Sequence, residues 1–211
     1  MLEDVSLFSC IDAEAVRDFE KVALRKRFPK NSIVFSKGDE SDSLYIVQSG
    51  KVKAVIHDED GKEIVLAVIG EGEYFGEMAA LDGVPRSATV VTKEPTEMLV
   101  IRRNDFKNIL SANPDMAFNL LAVLLQRLRR ADQKIESLAL RDVHGRVANL
   151  LMQSAEPEGR EWVLKGKMTH QEIANMVGSS REMVSKILAE LVEAGSISIE
   201  KGQITIHRKL A

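Results

Sequence analysis

The spacing of apolar residues falls into three successive regimes along this chain. Between about Leu24 and Arg102 it reads as short β-rich runs: Ser32–Ser36, Ser43–Gln48, Lys51–His57, Glu63–Ile69, Ser87–Thr92 and Thr96–Ile101. Turn signals separate them, namely Lys37-Gly38-Asp39, Ser49-Gly50, Asp60-Gly61 and Gly70-Glu71-Gly72. Short strands at this spacing predict an antiparallel roll or barrel. Ala13–Val22 has helical character and is expected to pack outside it.

From Pro114 no Gly or Pro occurs until Gly145, and the period lengthens to that of a helix ending near Arg141. Leu121, Leu128 and Ile135 fall at one position of a seven-residue repeat, and Leu124, Ala131 and Leu138 at another. A seam sustained for three heptads favours a coiled coil and hence a two-fold dimer helix. The other reading is a core helix lying along the roll. On the dimer reading Arg127, Arg129, Arg130 and Lys134 form the solvated flank.

Asp142 is placed to cap the next helix, whose face carries Val143, Val147, Leu150 and Leu151. Ala155–Gly166, rich in Glu, Gly and Pro, reads as a loop. Two more helical segments follow, then a hairpin of Ser196–Glu200 and Gln203–His207 joined by Lys201-Gly202.

Composition narrows the function classes. The 211 residues are 45% hydrophobic and 29% charged, enough for a buried core. Aromatics are only 5%, so that core must be largely aliphatic. The longest apolar runs, Leu120–Leu125 and Ile64–Ile69, fall far short of the roughly 20 residues a membrane helix needs. With no secretory signal pattern, a cytoplasmic protein without a membrane partner is expected. The single Cys10 excludes a disulfide framework and any multi-cysteine iron–sulfur site within one chain; a small apolar role near the terminus is expected of it. Residues 141–211 hold ten Lys and Arg against nine Asp and Glu, in a chain of net charge −3. That balance is no argument for nucleic acid, so DNA contact must rest on a specific element.

Such an element is present. Thr169 and Glu172 have the spacing of a capping box, Ala174 lets helices approach, Gly178 supplies a turn, and Ser180 can cap a second helix. In that helix Val184, Ile187, Leu188 and Leu191 form a buried stripe, which leaves Arg181, Glu182, Ser185 and Lys186 on the outer face. Arg181 can pair with guanine O6 and N7, and Glu182 can accept from cytosine N4. An ordinary helical hairpin with a charged face would show much of this pattern. The hairpin that follows, read as a wing, favours double-stranded DNA as partner. The candidate DNA-binding residues are Thr169, Gln171, Ser179, Ser180, Arg181, Glu182, Ser185 and Lys186.

A second cluster joins Tyr74-Phe75-Gly76-Glu77-Met78 to Pro85-Arg86-Ser87-Ala88. Gly76 permits close backbone approach, Arg86 offers a positive fork for a phosphate, and Ser87 a hydroxyl beside it. Glu77 is acceptor-only and suits a ribose hydroxyl. For Arg86 alone a surface salt bridge would serve; with the glycine and the acid at this spacing, a phosphate-type pocket is preferred.

With these motifs, from about Phe8 to His207, the chain resembles the cyclic-AMP receptor / fumarate-nitrate regulator superfamily of bacterial transcription factors, and within it the catabolite-activator branch. The shared residues include Lys37-Gly38-Asp39-Glu40, Leu44-Tyr45-Ile46-Val47, Gly50, the Phe-Gly-Glu and Pro-Arg-Ser-Ala motifs, Leu140-Arg141-Asp142-Val143-His144-Gly145-Arg146, and the helix-turn-helix. The resemblance implies an α+β fold: a jelly-roll-like antiparallel β-roll that binds a cyclic nucleotide (residues 1–113), a central dimerisation helix (114–140) and a winged helix-turn-helix (141–211). Its base-reading residues map onto Arg181, Glu182 and Lys186, and its effector site onto Phe75, Gly76, Glu77, Met78, Arg86, Ser87, Ala88 and Asp132. Its dimer contacts fall on Leu121, Leu124, Leu128, Ala131, Ile135 and Leu138.

Three departures matter. Cys10 cannot supply the cysteine cluster of the fumarate-nitrate branch, so neither an iron–sulfur cluster nor a metal is expected. Two adenine-contacting hydroxyl residues of cyclic-AMP receptors are replaced by Ala131 and Asp132. Lys186 stands where the catabolite-activator branch has arginine, and it lacks the planar fork. The implied function is a homodimeric DNA-binding regulator controlled by a cyclic nucleotide, cyclic AMP foremost. Cyclic di-GMP, another effector, or an active ligand-free dimer are alternatives within this class. A nucleotide-sensing regulatory subunit without DNA binding is the alternative outside it. Asp58-Glu59-Asp60 resembles a surface that contacts RNA polymerase in relatives, although a solvated hairpin tip explains it as well. An enzyme is not expected, since His57, His144, His170 and His207 lack metal-ligand spacing and no nucleophile–base pair appears.

Overall fold

The computed structural model describes residues 5–8, 13–40, 42–159, 161–164 and 166–210, and Cys10 lies outside them. The chain divides into two compact units, Met1–Asp58 with Val65–Leu128, and Glu59–Ile64 with Arg129–Ala211.

The first unit begins with a 3-10 turn at Ser6–Phe8 and helix α1 (Ala13–Val22). Strands β1 (Leu24–Phe28), β2 (Ile33–Phe35), β3 (Ser43–Ser49), β4 (Val52–His57), β5 (Glu63–Ile69) and β6 (Tyr74–Phe75) follow. Next come helix α2 (Glu77–Asp82), β7 (Thr89–Thr92), β8 (Thr96–Arg102), α3 (Arg103–Ala112) and the long α4 (Pro114–Leu140), whose last turns belong to the second unit. The strands form two four-stranded sheets, ordered β1-β8-β3-β6 and β2-β7-β4-β5. β1 and β8, β3 and β8, β3 and β6, β2 and β7, and β4 and β7 pair antiparallel.

The first sheet is the middle layer, and this explains its sequence. On β3, Leu44 and Ile46 join one core with Phe8, Phe19, Phe106, Met116 and Leu120, while Tyr45 and Val47 join another with Phe75, Val90 and Met98. β8 does the same, with Leu99 and Ile101 on one side and Met98 and Val100 on the other. Strands covered on both faces carry continuous apolar runs, which is what Leu44–Val47 and Met98–Ile101 are.

α4 combines both readings of its sequence. Met116, Leu120 and Leu124 pack on the roll's core. Leu121, Leu128 and Ile135 are 54, 58 and 64% exposed, and Phe118 and Leu125 stand beside them. The apolar stripe facing outward is therefore Phe118, Leu121, Leu125, Leu128 and Ile135, interrupted by exposed Asp132. Leu124 belongs to the roll and not to that stripe, since it is partly buried against the roll's core. The solvated flank also needs correction. Arg129 and Arg130 are exposed, but Arg127 and Lys134 are half-buried, and burial pushes the Lys134 amine below its usual range.

The second unit contains α5 (Val143–Ser154), β9 (Ala155–Glu158), β10 (Glu161–Leu164), α6 (His170–Val177), α7 (Arg181–Glu193), β11 (Ile197–Glu200) and β12 (Gln203–Ile206). The segment expected to be a loop after Ser154 is instead the hairpin β9–β10, which extends the wing into one sheet of order β11-β12-β10-β9. Pro157 hid it, and proline is tolerated there because β9 is an edge strand. Val147, Leu151, Leu164, Ile173, Val177, Val184, Leu188, Ile197 and Ile206 close a core around the three helices and this sheet. Among the described residues no helix is long and apolar enough to cross a membrane.

Candidate functional site

Three arginines define the geometry around α2. Gly76, its N-cap, has φ +81, in the left-handed region. A Cβ there would lie 2.5 Å from Arg86 Nη1 and 3.0 Å from the Ser43 carbonyl, so no side chain fits. Beneath it Arg86, 3% exposed, donates to the Gly76 carbonyl at 2.8 Å and to the Ser43 carbonyl at 2.7 Å. Its guanidinium lies 4.1 Å from the Phe35 ring centroid and 5.6 Å from that of Tyr45, which stacks on Phe75 at 5.1 Å. Burial lowers the Arg86 pKa, and Tyr45, Glu77, Asp42 and Asp39 oppose that shift. The guanidinium nevertheless keeps its charge, because an arginine loses its proton only far above neutral pH.

Glu77, the first residue of α2, is also buried, and its Oε1 accepts from Arg127 Nη1 at 2.9 Å. Arg127 donates as well to the Tyr74 carbonyl and lies 4.9 Å from the Tyr74 ring centroid. Sequence periodicity missed this role, since a charged residue beside an apolar seam looks solvated. At the other end of α2, Arg103 Nε donates to the Ala80 carbonyl at 2.9 Å.

The structure thus brings Gly76, Glu77 and Arg86 together, with Arg86 turned inward onto backbone carbonyls. Met78 and Ser87 are exposed beside them, Ser87 Oγ lying 3.9 Å from Met78 Sδ. Phe75 and Ala88 are core residues, so only their backbone is available to a ligand. Asp132 lies exposed on α4.

The Tyr74 hydroxyl is buried with no hydrogen-bond partner among the described residues. Burial pushes its pKa up to about 12. Tyr74→Phe is expected to stabilise the protein by about 1 kcal/mol at pH 7, read from the urea midpoint, because it removes an unpaid desolvation. The folded phenol holds its proton above the ordinary value of 10.0, so Tyr74's component of stability is present below pH 10 and is lost as pH rises towards 12. The variant should lack that loss; an unchanged alkaline profile would contradict this.

In the second unit the helix-turn-helix is built as its caps require. Thr169 Oγ1 accepts from the Glu172 amide at 3.1 Å, and Glu172 Oε2 accepts from the Thr169 amide at 2.9 Å. Gly178 and Ser179 amides close α6 on the Ala174 carbonyl, and Ser180 Oγ accepts from the Met183 amide at 3.2 Å. Arg181, Glu182 and Lys186 are exposed at the start of α7, Lys186 Nζ lying 3.9 Å from Glu190. Ser185 differs from expectation. It is half-buried, and its hydroxyl donates to the Arg181 carbonyl at 2.9 Å and contacts His170 Nδ1 at 2.7 Å. Gln171 is held by Asn175 at 2.7 Å. Arg146, unassigned by sequence pattern, joins the Val177 and Arg141 carbonyls at 2.9 Å each.

A ligand-type β-roll and a winged helix-turn-helix in one chain define a signal-responsive transcription regulator. Comparison with known proteins makes this specific. Residues 25–113 match the cyclic nucleotide-binding domain, and residues 145–210 the Crp-like helix-turn-helix domain. The chain is 33% identical over 210 residues to the CRP-like cAMP-activated global transcriptional regulator of Mycobacterium tuberculosis, covering 98% of this chain and 94% of that protein. It is 37% identical over 187 residues to the cyclic AMP receptor protein of Thermus thermophilus, covering 87% and 83%. Among solved structures it is similar to the c-di-GMP-responsive global regulator CLP of Xanthomonas campestris, with a TM-score of 0.82, 28% identity, and 93% and 100% of the two chains covered. The chain belongs to the cyclic-AMP receptor family of DNA-binding transcription regulators, which are not enzymes.

Proposed function

We propose that this regulator works as a homodimer whose affinity for a pseudo-palindromic operator is controlled by a cyclic nucleotide. The observation that carries the reading is the buried, charged Arg86 beneath Gly76, beside the buried carboxylate of Glu77. Phosphate would be held by Arg86, Ser87 and the backbone at Gly76, and ribose by Glu77. Arg86 would exchange backbone carbonyls for phosphate oxygens, a gain in charge complementarity for a desolvated cation. The outward stripe of α4 supplies the dimer contact, and the two recognition helices would enter adjacent major grooves about 34 Å apart. Arg181 and Glu182 read bases, and Lys186 reads a base or a phosphate. Thr169, Gln171, Ser179 and Ser180 position the element on the backbone. RNA polymerase is the expected further partner, with Asp58-Glu59-Asp60 as a candidate contact.

Cyclic AMP is the first candidate effector, supported by the cAMP-activated relatives. Cyclic di-GMP is the second, and two observations favour it: Ala131 and Asp132 stand where adenine-contacting hydroxyls would be, and the c-di-GMP-responsive regulator is structurally similar. A carboxylate at 132 can accept from an exocyclic amine but not from a carbonyl.

Calorimetric titration of nucleotide-stripped protein with cyclic AMP, cyclic GMP and cyclic di-GMP tests the site. Micromolar binding of one of them, lost in Arg86→Ala, is expected. Heat from none, or binding unaffected by Arg86→Ala, would overturn the reading.

A further inference from the structure

We propose that Arg103 is a positioning residue that sets the spacing between Glu77 and Arg86. This rests on the reading of that pair as the ribose and phosphate contacts. Arg103 opens α3 directly after β8, whose neighbouring Arg102 pairs with Ser43 in the middle sheet, so its base is fixed to the rigid layer. Its Nε holds the Ala80 carbonyl at 2.9 Å, one of those left open at the C-terminal end of α2.

The rest of the guanidinium packs against Gly83. A Cβ on Gly83 would sit 2.5 Å from Arg103 Nη2, 2.8 Å from Nη1 and 3.1 Å from Cζ. Gly83 has φ +82 and closes α2 with its amide on the Ala79 carbonyl at 3.1 Å. Val84 follows, its amide on Asp82 Oδ1 at 2.9 Å. Two residues later Arg86 is pinned by main-chain bonds to Asp39 and Gly38. Arg86 and Arg127 hold the N-terminal end of α2, through the Gly76 carbonyl and the Glu77 carboxylate. Arg103 alone among these three grips its C-terminal end and the turn that leads to Arg86. A short helix held at one end can pivot, and a pivot moves Glu77 relative to Arg86.

Preorganisation of this kind is read in affinity, and misplacement is read in discrimination. The experiment titrates the full chain, stripped of nucleotide, with cyclic AMP, cyclic GMP or cyclic di-GMP, whichever the wild type binds, and with its 2′-deoxy analogue. Arg103→Ala is expected to weaken the ribonucleotide roughly tenfold and the deoxy analogue much less, so the preference for ribose shrinks towards one. Arg103→Lys can regain the Ala80 bond but has no guanidinium to pack against Gly83, and should recover part of the preference. Equal weakening of both ligands with the preference intact would show only general destabilisation and would overturn the proposal. So would wild-type affinities in Arg103→Ala. If the wild type binds none of the three, the site reading itself fails, and the positioning role falls with it.

Discussion

Arg127→Met should cost the first unit about 3 kcal/mol of stability, the low end for removing one member of a buried pair because Arg127 keeps 31% of its side chain exposed. The carboxylate it leaves behind is 5% exposed and would lose its ion-pair partner. The loss is one of desolvation more than of Coulomb attraction, so the second substitution is diagnostic. Arg127→Met with Glu77→Gln removes the stranded charge and should recover more than half of the stability, a coupling that a double-mutant cycle reads directly. Arg127 also holds the Tyr74 carbonyl, and this smaller part should not be recovered. Denaturant midpoints of the four proteins check the expectation. A loss below 1 kcal/mol for Arg127→Met would mean that water reaches Glu77.

The second large effect concerns α4. Leu128 is 58% exposed in the centre of the stripe Phe118, Leu121, Leu125, Leu128 and Ile135. A monomer would present this row to water, and apolar rows of that length on soluble proteins mark an interface. Leu128→Asp would bury two uncompensated carboxylates across a two-fold axis, at a cost of about 3–5 kcal/mol, or more than 100-fold in the dimer constant. Analytical ultracentrifugation should find a monomer with an unchanged circular dichroism spectrum. Leu124→Ala, by contrast, should destabilise the roll while leaving the association state as it was, because Leu124 packs on the core. A Leu128→Asp protein that stays dimeric at micromolar concentration would move the interface elsewhere.

Much of this architecture could be read from residue pattern because local chemistry and global fold agree. Thr169 with Glu172, Gly178 and Ser180 announce the helix-turn-helix by cap chemistry, and each cap is present as expected. Asp142 caps α5 in the same way, accepting from the Gly145 amide. The heptad spacing of Leu121, Leu128 and Ile135 likewise reports an outward face.

Other features depend on contacts distant in the chain. Arg127 meets Glu77 fifty residues away, and Arg103 meets Ala80 across the strands β7 and β8, so neither leaves a periodic mark. Leu124 and Leu128 look equivalent in a seven-residue repeat, and only the roll's position tells them apart. The β9 strand, with Glu156, Pro157 and Glu158, carries edge-strand composition that reads as loop. Ser185 looks like a base reader by helical phase, yet its hydroxyl is held by His170 and Arg181.

The central claim is that a cyclic nucleotide governs DNA binding, and the most direct test measures the two together. Genomic fragments selected by the protein with cyclic AMP, cyclic GMP or cyclic di-GMP present would be titrated by fluorescence anisotropy with and without that nucleotide. A two-state dimer driven from 1:99 to 99:1 gains about 5.5 kcal/mol from its effector, so even a partial shift should change operator affinity at least tenfold. The account predicts that change for one nucleotide and its absence in Arg86→Ala. Equal operator affinity with and without all three nucleotides would contradict it.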